Sequence, residues 1–149
     1  MSDIDISQAE ADKLLAMEKH RVSDDFKIFP MPGDGLVLPL TSVDKREAFL
    51  LDINRRSIDL AKVSYQNRAR QAIILVRLDL GSRPHRNPDG VDVGSPHLHL
   101  YREGYAHKWA IPAPADKFPR LSDMQDCLDD FMTYCNITKP PRIQKGLFS

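Results

Sequence analysis

Ala72-Ile73-Ile74-Leu75-Val76-Arg77-Leu78-Asp79-Leu80 is the stretch on which the fold turns. Its first five residues are apolar on both parities, as in a strand covered on each side, and Arg77 and Asp79 then restore alternation at its end. The strand is predicted to be the centre of a sheet. Upstream, Ala48 to Asn54 and Ile58 to Gln66 are spaced to join it in a meander, with Arg55-Arg56-Ser57 and the region of Asn67 as connections. Phe26-Lys27-Ile28-Phe29, closed by Pro30, is a short strand candidate. The turn cluster Met31-Pro32-Gly33-Asp34-Gly35 precedes another, Leu36-Val37-Leu38.

Helices flank these strands. Ser7-Gln8-Ala9-Glu10 has the form of a capping box, and Ala9, Leu14, Leu15, Met17 and Val22 follow at helical spacing, predicting a helix from Ser7 to His20. Beyond Trp109 the prolines at 112, 114 and 119 end regular pairing. Leu121, Met124, Leu128, Phe131 and Cys135 then mark a second amphipathic helix, stopped by Asn136 and Pro140-Pro141. The expected class is α+β: an N-terminal helix, a mainly antiparallel sheet of five or six strands and a C-terminal helix, in one domain over residues 1–149. Helices would cover one sheet face and leave the other open. The apolar tail Arg142 to Phe148 is expected to pack back on the sheet or to dock on a partner.

No apolar run approaches the roughly 18 residues that span a bilayer, and the acidic start Met1 to Asp5 lacks the character of a signal peptide. A soluble, cytoplasmic protein with no membrane partner is expected. Cys127 and Cys135, eight apart on a predicted helix, would have α-carbons about 12 Å apart, beyond disulfide reach. They read as core thiols, and with no histidine beside either in sequence a thiol nucleophile is not expected. Net charge is zero, from 21 basic and 21 acidic side chains. It is segregated, however: Arg55, Arg56, Lys62, Arg68, Arg70, Arg77, Arg83 and Arg86 stand against only Asp59 and Asp79 between Asn54 and Arg86. Such a basic middle can collect a phosphodiester or be a solvated strand surface.

The functional reading rests on Pro96-His97-Leu98-His99-Leu100-Tyr101-Arg102-Glu103-Gly104-Tyr105-Ala106-His107-Lys108-Trp109, which holds three of the five histidines, the only tryptophan and two of the four tyrosines. Alternation puts both His97 and His99 on one strand face. A three-residue loop Arg102-Glu103-Gly104 would pair Tyr101 with Tyr105 and His99 with His107, gathering His97, His99, Tyr101, Tyr105, His107 and Trp109 on one surface. A two-residue Glu-Gly turn would instead send His107 to the leucine side. The long connection Gly81 to Pro96, with its turn Asn87-Pro88-Asp89-Gly90 and with Arg83, His85 and Arg86, is expected to fold over the histidines.

Two readings of that surface stand. In the first it is a metal-independent ribonuclease: His99 and His107 exchange protons with the 2′-hydroxyl and the 5′-oxygen, with His97 beside them and Tyr101 as a donor. Arg77, Arg83 or Arg102 would clamp phosphate, and His85, Tyr105 and Trp109 would complete the substrate surface. In the second the same face grips RNA or a protein partner without catalysis, since tyrosine, tryptophan and arginine carry binding hot spots. Neither reading needs a metal or cofactor. The order of elements resembles that of small ribonuclease toxins of the barnase and RelE type, a likeness of layout that transfers no catalytic residue. The string His-Leu-His-Leu-Tyr-Arg-Glu-Gly-Tyr, with the later Lys-Trp-Ala and Tyr-Cys-Asn-Ile, resembles a group of small bacterial proteins associated with mobile elements and toxin–antitoxin or phage-conflict loci. That likeness implies a setting and no activity.

Other chemistries fit less well. His97-x-His99 followed by Glu103 is similar to a cupin half-motif, but Val91 and Ala110 stand where that motif has glycine, and no second half follows. The two His-x-Thr/Ser strands of two-histidine phosphoesterases are missing. Gly33-Asp34-Gly35 lacks the spacing and the lysine of a phosphate loop.

Overall fold

In a computed structural model, residues 5–55 and 59–145 are described. They form α1 (Gln8–Ala16), β1 (Lys19–Arg21), β2 (Phe26–Ile28), β3 (Gly35–Ser42), β4 (Ala48–Asn54), β5 (Val63–Ala69), β6 (Ile73–Leu80), β7 (His85–Arg86) and β8 (Asp92–Val93). There follow β9 (His97–Leu100), β10 (Ala110–Pro112), α2 (Met124–Tyr134), β11 (Ile137–Lys139) and β12 (Arg142–Gln144). The architecture is α+β, a large, mainly antiparallel sheet with an N-terminal and a C-terminal helix. Eight strands enter that sheet, in the order β10-β9-β6-β5-β4-β3-β1-β11, rather than the expected five or six. The additional members β1, β10 and β11 have three residues each, too few to show a period.

α1 begins as read, with the Ser7 hydroxyl accepting from the Glu10 amide at 3.1 Å. It ends sooner, at Ala16, because Lys19 turns back as part of β1. The buried ammonium donates to the carbonyls of Leu15, Met17 and Cys135 at 2.8, 2.9 and 2.7 Å. Val22, read as a helix position, lies beyond β1 and is exposed. The meander β3-β4-β5-β6 is continuous and antiparallel. Phe49, Leu51, Ile53, Tyr65, Leu78 and Leu98 join Leu14, Leu128 and Phe131 in one core between sheet and helices. Tyr65 caps that packing by donating to the Met124 carbonyl at 2.6 Å. Both cysteines are free and enclosed, and burial pushes each thiol up to about 12.

The continuous apolar run in β6 has a different cause from the expected cover on both sides. Ile74 pairs with Arg68 and Val76 with Asn67, so Leu75 is the extra residue of a β-bulge. The bulge exchanges the strand's parity. Ile73, Leu75 and Val76 are all buried, and Arg77 and Asp79, which simple alternation from Ile73 would turn toward the helices, face the open side. There they share the surface with Asn54, Ser64, Gln66 and Arg68. Arg68 holds Asp52 through two nitrogens at 2.6 and 2.8 Å.

β2 leaves the main sheet to pair in parallel with β12, so the described start of the tail packs back on the fold. Residues 146–148 of that tail, the Arg56-Ser57 connection, Ile58 and residues 1–4 lie outside the described residues. Among those described, no helix is long and apolar enough to cross a membrane.

Candidate functional site

The site grows from the pairing of β6 with β9, which sets Asp79 opposite His97 and Arg77 opposite His99. Both imidazoles reach one carboxylate oxygen: Nε2 of His97 lies 3.0 Å and Nε2 of His99 3.1 Å from Asp79 Oδ2. Nη2 of Arg77 is 3.2 Å from His99 Nε2 and 3.3 Å from the same Oδ2. His97 and His99 are 2% and 1% exposed, a buried tier at the floor of the open face.

A second tier of two part-exposed histidines lies above it. The connection from Gly81 to Pro96 folds over the face as expected, pinned by Asn87, whose side-chain amide accepts from the Ala110 N–H at 2.8 Å and donates to the Ala110 carbonyl at 2.9 Å. This holds the His85 ring 4.5 Å from that of His99, with its Nε2 donating to the Lys108 carbonyl at 2.7 Å. The His107 ring lies 6.4 Å from that of His99, and its carbonyl accepts from His99 Nδ1 at 2.8 Å. Four of the five histidines therefore surround one arginine and one aspartate.

Burial and charge set the protonation of this group. Burial works to raise the Asp79 carboxyl, but the hydrogen bond from His99 and the charge of Arg77 overcome it and hold the group down at about 2. Burial lowers His97 against the attraction of Asp79. Burial, with the charge of Arg77 next, also lowers His107. The roles of the His99 nitrogens follow from its partners: Nδ1 faces a carbonyl and carries hydrogen, so Nε2 donates to Asp79 when the ring is protonated and presents a lone pair toward Asp79 and Arg77 when it is neutral.

Of the expected site residues, His97, His99, His107, His85 and Arg77 come together. Tyr101 does not: it is buried, and its hydroxyl accepts from the Ile6 amide at 2.9 Å and donates to the Ile6 carbonyl at 2.8 Å, tying down the chain before α1. Trp109 lines a groove with Ala11, Leu15 and Leu98 on the helix side of the β9–β10 ribbon. Tyr105 stacks edge-on against it at 5.8 Å, and the Arg102 guanidinium lies 4.2 Å from its ring centre. Arg83 is exposed and makes no hydrogen bond or ion pair among the described residues.

The single aromatic-histidine surface is thus corrected to two sites, and the reason is register. Arg102 pairs with Ala106 and His99 with Ala110, not with His107. One extra residue on the returning strand lifts His107 out of the ladder, and it reaches the open face from a loop. Gly104 takes the left-handed conformation expected of it, φ 83°, as the third residue of a turn closed from the Tyr105 amide to the Arg102 carbonyl. Glu103, the cupin-like acid, lies away from the histidines and accepts from the Gln8 amide at 2.7 Å. The carboxylate of the site is Asp79, which reads in the sequence as a sign of alternation and as one of two acids in a basic stretch. Its signal was the equal spacing of Arg77-x-Asp79 and His97-x-His99, two polar pairs able to meet across neighbouring strands.

Beside Asp79 opens a cleft of about 360 Å³ lined by Asn54, Lys62, Ser64, Arg77 and Ser82. It adjoins a second hollow of about 370 Å³ that shares Asn54, Ser64 and Arg77 and runs on to Gln66 and Arg68. Asp79 and Arg77, the partners of His97 and His99, border this polar trough. A model of a family of unknown function (DUF6978) matches residues 6–137. That is most of the chain, and the chain belongs to this family. No curated protein and no solved structure matches it.

Proposed function

We propose that this member of a family of unknown function cleaves phosphodiester bonds in RNA by proton transfer at the histidine face. One observation carries the reading: four imidazoles gather around Arg77 and Asp79, which border a polar trough that offers Lys62 and Arg77 to an anion. Proton transfer needs imidazoles that solvent and substrate can reach. His99, 1% exposed and committed at Nδ1, does not meet that need. The pair first read as His99 and His107 becomes His107 and His85, both on the rim.

In this scheme neutral His107 takes the proton of a ribose 2′-hydroxyl as that oxygen attacks phosphorus. His85, in its protonated form, gives a proton to the departing 5′-oxygen, leaving a 2′,3′-cyclic phosphate. Arg77 and Lys62 balance the charge that develops on the phosphorane. His97 and Asp79 hold His99 in place beneath them.

The test is incubation of purified protein with total RNA, with and without EDTA, and end-group analysis of the products. Cleavage to cyclic phosphate ends, reduced about 10²- to 10⁴-fold in His107→Ala and His85→Ala, supports the reading. Retention of RNA without cleavage turns it toward the non-catalytic binding protein, and neither cleavage nor retention removes RNA as the substrate.

A further inference from the structure

We infer that Asp79, His97 and His99 form a binding site for one divalent transition-metal ion. The inference goes beyond the proton-transfer reading: it uses the buried tier of histidines, whereas that reading uses the rim.

The first argument is spacing. Metal bonds to imidazole nitrogen and carboxylate oxygen are about 2.0 to 2.2 Å long, which places neighbouring ligands about 3.0 to 3.5 Å apart in octahedral or tetrahedral geometry. The two Nε2–Oδ2 separations are 3.0 and 3.1 Å. All three ligand atoms lie within 4.8 Å of one another. The second is direction. His99 gives its Nδ1 hydrogen to the His107 carbonyl, the outer-shell contact that fixes a ligating tautomer and turns the Nε2 lone pair inward. A lone pair 3.1 Å from a carboxylate oxygen is repelled unless a cation or a proton stands nearby. The third is rigidity, because all three residues project from paired strands, with the Asp79–His97 register fixed by the ladder. Two imidazoles and one carboxylate suit zinc, manganese, iron, cobalt or nickel better than calcium or magnesium.

Arg77 stands where such an ion would compete with it. Its guanidinium touches His99 Nε2 and both oxygens of Asp79, placing a positive charge beside the group. The side chain is 27% exposed and borders the cleft, so it can turn outward when a metal enters. The site is therefore either arginine-filled or metal-filled. The cupin-like spacing pairs His97 and His99 with Glu103; the acid beside them is Asp79, supplied by a strand eighteen residues upstream of His97.

The experiment is titration of chelator-dialysed protein with Co²⁺, followed by its visible absorption, and with Zn²⁺ by calorimetry. One equivalent binds, Asp79→Asn and His97→Ala weaken binding at least about tenfold, and Arg77→Gln strengthens it by removing the competing charge. Circular dichroism checks that the buried variants keep the fold. The Arg77 variant decides the matter if they do not, because its position is part-exposed. Absence of stoichiometric binding overturns the inference, as does binding that neither the ligand variants nor Arg77→Gln alter. RNA cleavage in EDTA by protein that binds no metal overturns it while leaving the proton-transfer reading intact. Metal binding without cleavage does the reverse.

Discussion

Lys19 and Asp79 are both charged, both nearly enclosed and both on strands of one sheet, yet their surroundings are completed to different degrees. Lys19 is 0% exposed and its three donors meet three carbonyls, with the Phe49 ring 4.9 Å away. At Asp79, one oxygen is approached by two imidazoles and a guanidinium. Nδ1 of His97 remains buried without a well-formed hydrogen bond, and Nε of Arg77 meets Asp79 Oδ1 only as an ion-pair contact at 3.1 Å. A charge whose partners are all supplied by the chain closes a structure, whereas polar atoms left short of partners mark a place prepared to take something from outside.

The sharpest way to break this contrast is Lys19→Met. It leaves the Leu15, Met17 and Cys135 carbonyls without their donor, and unfolding in urea should show a loss of roughly 3 kcal/mol or more. A loss below about 1 kcal/mol would remove the distinction between the two regions.

The same lysine predicts a pH signature. Burial lowers its folded pKa from 10.5 to about 8, so between those values the unfolded chain binds more protons. Stability contributed by this group therefore rises with pH across that window, while the titrations of the cysteines and tyrosines are largely common to both proteins. The deficit of Lys19→Met relative to the unmodified chain should grow from pH 8 upward when measured by urea midpoints.

Gly81→Ala tests the lid of the open region. Gly81 starts the connection that carries His85, at φ 68°, and a Cβ there meets the Ala61 carbonyl oxygen. A cost of about 1–3 kcal/mol is expected, together with weaker RNA cleavage. The smallest effect on stability belongs to Arg77→Gln, about 1 kcal/mol, because the side chain is part-exposed and two imidazoles still reach Asp79. RNA cleavage by this variant should nevertheless fall about 10²-fold or more, through the lost phosphate clamp. If its stability collapses instead, the Asp79 group is as structural as Lys19.

The parts that could be read along the chain share one property. Ser7 and Glu10, the alternation of β4 and β9, and the apolar stripe of α2 each act over a few residues. The gathering of His85, His97, His99 and His107 was also within reach, because a loop that returns over its own next strand is a local event. Tyr101 and Trp109 were misassigned for the opposite reason. One extra residue between Ala106 and Trp109 changes which face Trp109 takes, while Tyr101 lies past the end of β9 opposite the bulged Leu75, and a two-residue period cannot reveal where either irregularity falls.

Local periodicity and capping, then, were enough to establish the helices, the meander and the strand face that bears the histidines. Pairing over distance alone decided that Leu75 bulges and so turns Arg77 and Asp79 toward the open side, and that Asp79 meets both imidazoles. Hydrogen-bond register between strands is chosen by the packing of the whole sheet against its helices, and no window of the chain contains that information.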